Sequence, residues 1–215
     1  MSETEEALRG QIVWAMQAME SRGLNRGTSG NVSARFEGGM LITPSGVPAG
    51  ELTPQSIVFM PTDRPPEDAG LRPSSEWRMH GGLYDARPDC GAVVHCHSRH
   101  ATILACAGKP IPPLHYMVGV SGKPVVPLAP YATFGSLELA EGVAAAMDGG
   151  FSCLMANHGQ IAIAPGVRRA LAIAEEIEEQ AAIYWGTLLI GGPKLLNEDQ
   201  MAEVFRRFGT YGQKR

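Results

Sequence analysis

The feature that most constrains this sequence is a short apolar run that ends in two closely spaced histidines. The run 92–94 is followed directly by His95, Cys96 and His97. An apolar run rich in β-branched residues predicts a buried strand, in which residues two apart share a face. His95 and His97 are therefore expected to project to one side of a strand end, with Cys96 pointing away.

A second apolar run, 153–156, leads to a third histidine, His158, which precedes a glycine. This pattern predicts another strand end. A carboxylate, Glu76, follows two serines at the start of a predicted helix. Three imidazoles and one carboxylate form a ligand set suited to a divalent, borderline-soft metal ion, most often zinc. The alternative is that each histidine is an ordinary core residue with a satisfied hydrogen bond.

Small polar loops beside predicted strands suggest where an anion could bind. The segments 27–31 and 44–46 are rich in Gly, Ser, Thr and Asn, and backbone N–H groups in such loops can hold a phosphate. Ser74 or Ser75 is predicted to cap the helix that carries Glu76, and a helix N-terminus also favours an anion. Each loop taken alone is equally compatible with an ordinary turn.

Length, charge and cysteine use limit the class of protein. A chain of 215 residues is most simply one domain spanning residues 1–215. The net charge of −4 comes without a basic stripe, so no nucleic acid partner is expected. No apolar run approaches the roughly 20 residues needed to cross a bilayer, so no membrane association is expected. The acidic N-terminus argues against a targeting peptide, and the four cysteines form no disulfide framework, which favours a cytoplasmic enzyme.

Predicted strands alternate with predicted helices along the chain, which indicates an α/β layered fold. The sequence pattern leaves open whether the strands are parallel or antiparallel.

Several motifs run in order through nearly the whole chain. They are Gly23-Leu24-Asn25-Arg26-Gly27-Thr28-Ser29-Gly30-Asn31-Val32-Ser33, Leu41-Ile42-Thr43-Pro44-Ser45-Gly46, Pro73-Ser74-Ser75-Glu76-Trp77-Arg78, Ala92-Val93-Val94-His95-Cys96-His97, Ile111-Pro112-Pro113-Leu114-His115-Tyr116-Met117, Ala129-Pro130-Tyr131-Ala132-Thr133-Phe134-Gly135, His158-Gly159 and Thr210-Tyr211-Gly212. With these motifs the chain resembles the class II aldolase family of the aldolase/adducin-head type, and within it the L-fuculose-1-phosphate aldolase branch.

The resemblance implies a three-layer α/β/α sandwich with a largely antiparallel central sheet. It also implies a fourfold-symmetric homotetramer with active sites between subunits. The implied cofactor is Zn²⁺, with Mn²⁺ or Co²⁺ as alternatives, held by Glu76, His95, His97 and His158. The residues implied to bind the substrate phosphate are Thr28, Gly30, Asn31, Ser45, Gly46, Ser74 and Ser75.

The activity implied by the resemblance is that of a metal-dependent aldehyde-lyase. The enzyme would reversibly cleave a ketose 1-phosphate resembling L-fuculose 1-phosphate to dihydroxyacetone phosphate and a small aldehyde such as lactaldehyde. Glu76 and Tyr116 are the implied catalytic residues, with Tyr116 and Phe134 coming from a neighbouring subunit. Phe134 would shape the substrate pocket, and Tyr211 would lie on a C-terminal tail near it. Asn157 departs from the family pattern, which has His there, and this leaves the aldehyde preference open.

The lysines bear on the choice between metal chemistry and a Schiff base. The chain has only Lys109, Lys123, Lys194 and Lys214. The first three adjoin proline, the last is near the terminus, and none lies in a predicted buried strand that would depress its pKa. The metal route is therefore favoured.

Three alternatives stay open at this point. One is aldol cleavage of 5-deoxyribulose 1-phosphate or 5-methylthioribulose 1-phosphate, which would differ only in the aldehyde pocket. A second is a sugar-phosphate epimerase, which in this family uses an Asp after the His-x-His pair; here no Asp occurs between Asp89 and Asp148. A third is a non-catalytic scaffold, which would be expected to have lost its metal ligands.

Overall fold

A seven-stranded sheet forms the middle layer of the structure, a computed structural model that describes residues 4–61 and 70–211. The strands are β1 (Asn31–Phe36), β2 (Gly39–Ile42), β3 (Val58–Pro61), β4 (Ala92–Cys96), β5 (Leu128–Ala129), β6 (Ser152–Met155) and β7 (Gly159–Ala164). Their order across the sheet is β3-β2-β1-β4-β7-β6-β5. Every neighbouring pair is antiparallel except β5 and β6. The predicted α/β fold with a largely antiparallel sheet is confirmed.

Helices cover both faces of this sheet. They are α1 (Glu5–Ser21), α2 (Trp77–Ala86), α3 (Arg99–Cys106), α4 (Leu137–Ala146), α5 (Val167–Leu189) and α6 (Glu198–Phe208). Helices α1, α3 and α5 pack on one face, and α2 and α4 pack on the other. The result is the three-layer α/β/α arrangement.

The central strands are apolar on both sides because both sides are covered. In β4, Val94 and Cys96 belong to the core beneath α1, α3 and α5, whereas Val93 belongs to the core beneath α2 and α4. His95 shares the parity of Val93 and so projects toward the α2 side. Cys96 points to the opposite face, as the strand alternation predicts.

Antiparallel pairing gathers three separated segments at one end of the sheet. Asn31, at the start of β1, pairs with His95 near the end of β4. Strand β4 also pairs with β7, which begins directly after His158. The start of one strand therefore lies beside the end of its neighbour, and polar side chains from distant parts of the sequence meet there.

Within residues 4–61 and 70–211, no helix combines the length and apolar character that a membrane crossing requires.

Candidate functional site

Three imidazole rings meet at this end of the sheet. The Nε2 atoms of His95 and His97 lie 3.0 Å apart, and the ring of His158 lies with its centroid 4.9 Å from each of theirs. One ligand atom from each ring lies within 4.8 Å of the other two. His158 occupies the three-residue turn 156–158 between β6 and β7. The structure thus brings together all three histidines that the sequence singles out.

The carboxylate of Glu76 lies against this cluster. Its Oε2 is 3.1 Å from His95 Nε2, and its Oε1 is 3.2 Å from His158 Nε2. Glu76 itself occupies the N-cap position of α2. The prediction that a serine caps this helix was wrong, because the Ser74 hydroxyl instead accepts a hydrogen bond from the Glu76 N–H at 3.3 Å within the preceding turn.

The surroundings of Glu76 and His97 shift the pKa of both side chains downward. Burial by itself raises the pKa of Glu76, but the adjacent His95 and His158 rings outweigh it and hold that pKa well below its usual range. Burial, together with repulsion from His95 and His158, lowers the pKa of His97 to about 4. At neutral pH the carboxylate is therefore ionised while the His97 ring keeps a free lone pair.

Neighbouring groups hold the His95 ring and the His97 backbone in place. His95 Nδ1 lies 2.8 Å from the backbone carbonyl oxygen of Gln160, so a proton there donates to this oxygen and turns Nε2 toward the cluster. The backbone N–H of His97 donates to Asn25 Oδ1 at 3.0 Å. Such outer contacts hold ligand atoms in place before an ion arrives.

These four side chains fit a divalent metal ion. Imidazole nitrogens and a carboxylate oxygen are ligands that zinc and similar ions accept. Glu76 Oε1 is buried beside His158 Nε2, 3.2 Å away, and makes no other hydrogen bond among the described residues, so it has lone pairs to offer. A cation bound here would also stabilise the buried negative charge of the carboxylate.

A cavity of about 340 Å³ opens beside the cluster. Glu76, His97 and His158 line it, and His95 lies fully buried behind them. All seven residues that the resemblance assigns to phosphate binding line the same cavity: Thr28, Gly30, Asn31, Ser45, Gly46, Ser74 and Ser75. The loops that were weak signals separately are therefore neighbours in space.

Some backbone N–H groups that line this cavity already donate to other residues, whereas others have no acceptor and are available to a ligand. The backbone N–H of Ser45 donates to Arg72 O, and that of Ser74 donates to Thr43 O, each at 2.9 Å. The backbone N–H groups of Gly46 and Ser75 have no acceptor among the described residues. An anion in the cavity would therefore find these two N–H groups and the serine hydroxyls.

The aromatic residues implied by the resemblance divide between two places. Phe134 lines the cavity of its own chain, together with Tyr131. The implied supply of Phe134 from a neighbouring subunit stays a prediction. Tyr116 and Tyr211 instead line a separate cavity of about 360 Å³ beside α6, where Tyr116 packs near Phe208. The structure of one chain does not bring either tyrosine to the metal-ligand cluster.

Sequence reasoning named Asn31 only as a phosphate-binding residue and missed its neighbour His80. Asn31 donates from Nδ2 to Glu76 Oε2 at 2.9 Å, and its Oδ1 lies 2.6 Å from Nε2 of the fully buried His80. His80 follows Glu76 by four residues on the predicted helix, a spacing that places two side chains on one face. That spacing was the available signal for His80.

Comparison with known proteins was made for the whole chain. The family described as Class II Aldolase and Adducin N-terminal domain matches residues 10–185. The chain is 46% identical over 207 residues to the 5-methylthioribulose-1-phosphate/5-deoxyribulose-1-phosphate aldolase of Rhodospirillum rubrum, covering 96% of this chain and 93% of that protein. It is 44% identical over 203 residues to the L-fuculose phosphate aldolase of Escherichia coli strain K12, covering 94% of each. A solved L-fuculose 1-phosphate aldolase superposes with a TM-score of 0.91 at 35% identity, covering 97% of this chain and 98% of that one.

Proposed function

The chain belongs to the Class II Aldolase and Adducin N-terminal domain family and is a class II aldolase, and from this premise we propose that it reversibly cleaves a ketose 1-phosphate resembling L-fuculose 1-phosphate. The products are dihydroxyacetone phosphate and a small aldehyde such as lactaldehyde. One observation carries the proposal: the cluster of three imidazoles and a carboxylate shares a cavity with the donors suited to a phosphate.

His95, His97, His158 and Glu76 are the residues that would hold the metal ion. Zn²⁺ is the proposed ion because nitrogen and oxygen ligands in this number suit its tetrahedral preference, with Mn²⁺ or Co²⁺ as alternatives. When bound, the ion supplies Lewis acidity that polarises the substrate carbonyl and stabilises the negative charge that develops on its oxygen.

Glu76 is proposed as the group that moves the proton on carbon. During synthesis the ionised carboxylate removes a proton from the carbon that attacks the aldehyde. During cleavage it returns to that carbon the proton released by the hydroxyl that becomes the aldehyde oxygen. This role requires a carboxylate that is ionised in the resting enzyme and lies at the cavity. The lowered pKa of Glu76, which burial opposes and the His95 and His158 rings produce, and the position of Glu76 in the cavity lining both support the assignment.

The phosphate of the substrate is proposed to bind across the cavity from the cluster. The hydroxyls of Ser45, Ser74 and Ser75 and the backbone N–H groups of Gly46 and Ser75 are the donors. Thr28, Gly30 and Asn31 form the facing wall. Anchoring the phosphate here positions the carbonyl end of the ketose at the imidazoles, which lowers the entropic cost of reaction.

The remaining parts of the site are proposed to come from assembly. Tyr116 is about half exposed and lies away from its own chain's cluster. A homotetramer with sites between subunits would bring Tyr116 of a neighbouring subunit to the hydroxyl that becomes the aldehyde oxygen, with Tyr211 nearby. Four cysteines without a disulfide support a cytoplasmic location for this assembly.

A second candidate substrate is 5-methylthioribulose 1-phosphate or 5-deoxyribulose 1-phosphate. The rings of Tyr131 and Phe134, both more than half exposed, give the outer wall of the cavity an apolar character. Such a wall suits a methyl or methylthio end as well as the end of a fuculose-like ketose. Similarity to the 5-methylthioribulose-1-phosphate/5-deoxyribulose-1-phosphate aldolase of Rhodospirillum rubrum also favours this candidate.

The test is a coupled assay for release of dihydroxyacetone phosphate from fuculose, ribulose, 5-deoxyribulose and 5-methylthioribulose 1-phosphates, with and without chelator. We expect chelator-sensitive release from at least one of them. The ratio of kcat/KM among the four identifies the aldehyde half. Absence of release from all four by metal-loaded enzyme would refute the proposed function.

A further inference from the structure

We propose that His80, Ser33 and Tyr84 are positioning residues that act through Asn31 to hold the carboxylate of Glu76 in one orientation. None of the three lines the cavity, and all are buried between β1 and α2. This inference rests on the proposed proton-transfer role of Glu76 and adds the means by which that carboxylate is oriented.

The four contacts form an unbroken chain of short hydrogen bonds. Tyr84 OH lies 2.7 Å from Ser33 Oγ, and Ser33 Oγ lies 2.7 Å from His80 Nδ1. His80 Nε2 lies 2.6 Å from Asn31 Oδ1, and Asn31 Nδ2 lies 2.9 Å from Glu76 Oε2. Three of these distances are within the usual range of a hydrogen bond, and the 2.6 Å contact between His80 and Asn31 is slightly shorter.

The ionised carboxylate of Glu76 determines which group donates and which accepts in each of these four hydrogen bonds. An ionised Glu76 only accepts, so Asn31 must present its nitrogen to it and its oxygen to His80. His80 Nε2 must then carry the proton. Burial and the nearby His95 charge lower the pKa of His80 to about 3, so the ring is neutral and its Nδ1 must accept from Ser33. Ser33 in turn accepts from the Tyr84 hydroxyl, which burial keeps protonated by raising its pKa.

This direction places the two oxygens of Glu76 differently. Oε2 accepts from Asn31 at 2.9 Å, whereas Oε1 lies 3.2 Å from His158 Nε2 and makes no other hydrogen bond among the described residues. The hydrogen-bond chain therefore fixes Oε2 and leaves Oε1 as the oxygen that turns toward substrate. Asn31 has two hydrogens on Nδ2, and only one is used by Glu76. Asn31 also lines the cavity, so it connects the cavity lining to the buried residues behind it.

A matched pair of variants tests the link between His80 and Asn31. In His80→Gln the amide nitrogen can occupy the place of Nε2 and still donate to Asn31, whereas the shorter side chain of His80→Asn reaches only the place of Nδ1. We expect kcat of His80→Asn to fall about 10- to 100-fold, the usual cost of losing an outer hydrogen-bond partner, with KM changed less than about threefold. His80→Gln should keep kcat within about fivefold of wild type. Bound metal and melting temperature should match in the two variants.

A double-variant cycle separates positioning from general stability. Because His80 acts through Asn31, adding His80→Asn to Asn31→Ala should lower kcat no further. An equal loss in both backgrounds would overturn the proposal, as would a loss of kcat that follows loss of bound metal. Should His80→Asn fail to fold, Ser33→Ala provides the test, with kcat expected about three- to tenfold below wild type at unchanged metal content. Wild-type kcat in Ser33→Ala would also overturn the proposal.

A spectroscopic measurement tests the same chain without any assay. The ring nitrogens of His80 in ¹⁵N-labelled, metal-loaded protein should report the tautomer protonated at Nε2 at neutral pH, and Ser33→Ala should give a mixture of tautomers. A proton on Nδ1 in the wild type would overturn the proposal even in an active enzyme. If the wild type cleaved no ketose 1-phosphate, the proposed function would fail while this tautomer could still be observed, so the two failures are distinguishable.

Discussion

The Nε2 atoms of His95 and His97 face each other across 3.0 Å. His95 is the last but one residue of β4, and His97 follows the end of that strand. A third ring, that of His158 in the turn between β6 and β7, completes the group. Lone pairs this close repel one another unless a proton or a metal ion lies among them.

Removing one ring should remove the ion. We expect one divalent ion per chain in the purified protein, and we expect His97→Ala to bind it at least about 100-fold more weakly, since even outer-contact changes cost 10- to 100-fold. Elemental analysis after dialysis against graded chelator measures the affinity. His100→Ala is the control, because His100 contacts Glu178 outside the cluster and its loss should leave the metal content unchanged. Full metal content in His97→Ala would contradict the assigned ligand set.

Neutralising the carboxylate should stop turnover while sparing the ion. In Glu76→Gln the amide still offers an oxygen but cannot carry a proton, so kcat should fall by about 10²- to 10⁴-fold. Three imidazoles remain, so bound metal should largely survive. Steady-state kinetics and elemental analysis on the same preparation measure both. Full activity in this variant would remove Glu76 from the mechanism.

Gly30 should be intolerant of a side chain. Its φ is +74°, and an added Cβ would lie 2.1 Å from Asn25 Nδ2. Gly27 is the matched control, with a φ of +63° and open space around the added Cβ. Gly27→Ala should cost about 1–2 kcal/mol from backbone strain alone.

Gly30→Ala should cost about 1–3 kcal/mol more, the range for overpacking. Because Asn25 also accepts from the His97 N–H, only Gly30→Ala should weaken metal binding. Urea unfolding and metal titration measure the two effects. Equal behaviour of the two variants would show that the Asn25 contact does not matter.

The buried His80 should make the metal-free protein acid-sensitive. Burial and the His95 charge lower the pKa of His80 from 6.5 to about 3 in the folded state. Below pH 6.5 the unfolded chain binds a proton that the folded chain refuses, so stability falls as the pH drops from about 6.5 toward about 3, by up to about 1.4 kcal/mol per unit. Above pH 6.5 this residue contributes no pH dependence.

His80→Gln removes the titrating ring, so its free energy of unfolding should fall less steeply over the same acid range. Urea unfolding of both proteins between pH 5 and pH 8 measures the difference in slope. Parallel curves would show that His80 is protonated equally in the folded and unfolded states.

The four thiols should differ sharply in reactivity. Cys90, Cys96 and Cys153 are buried, and burial raises the pKa of Cys90 and of Cys96 to about 12, whereas Cys106 is exposed. A thiol reagent at neutral pH should therefore modify one cysteine in the native protein and four after denaturation. Cys106→Ser should abolish the native reaction. Rapid native modification of two or more thiols would contradict the packing of β4 and β6.

Much of the architecture could be read from local patterns. The apolar run before His95 predicts a strand because side chains of alternate residues share a face, and the structure has that strand with Cys96 turned away. The motifs from Gly23 to Gly212 placed the chain in its family because their order and spacing are specific together. Local patterns were less reliable at the helix carrying Glu76. There the Ser74 hydroxyl accepts from the Glu76 N–H in the preceding turn, and Glu76 rather than a serine occupies the N-cap position.

Tertiary structure decided what the side chains do once they meet. Whether Asn31 faces a phosphate or Glu76 depends on β1 pairing with β4 and on α2 packing above them, which no local pattern encodes. The same packing creates the hydrogen bonds of His80, Ser33 and Tyr84. These bonds join residues more than 40 positions apart, so no local pattern predicts them. Residue types and spacing therefore determined which chemical groups the protein has and which strands and helices carry them. The packing of those elements, driven by burial of apolar faces on both sides of the sheet, determined which groups touch and in which direction each proton points.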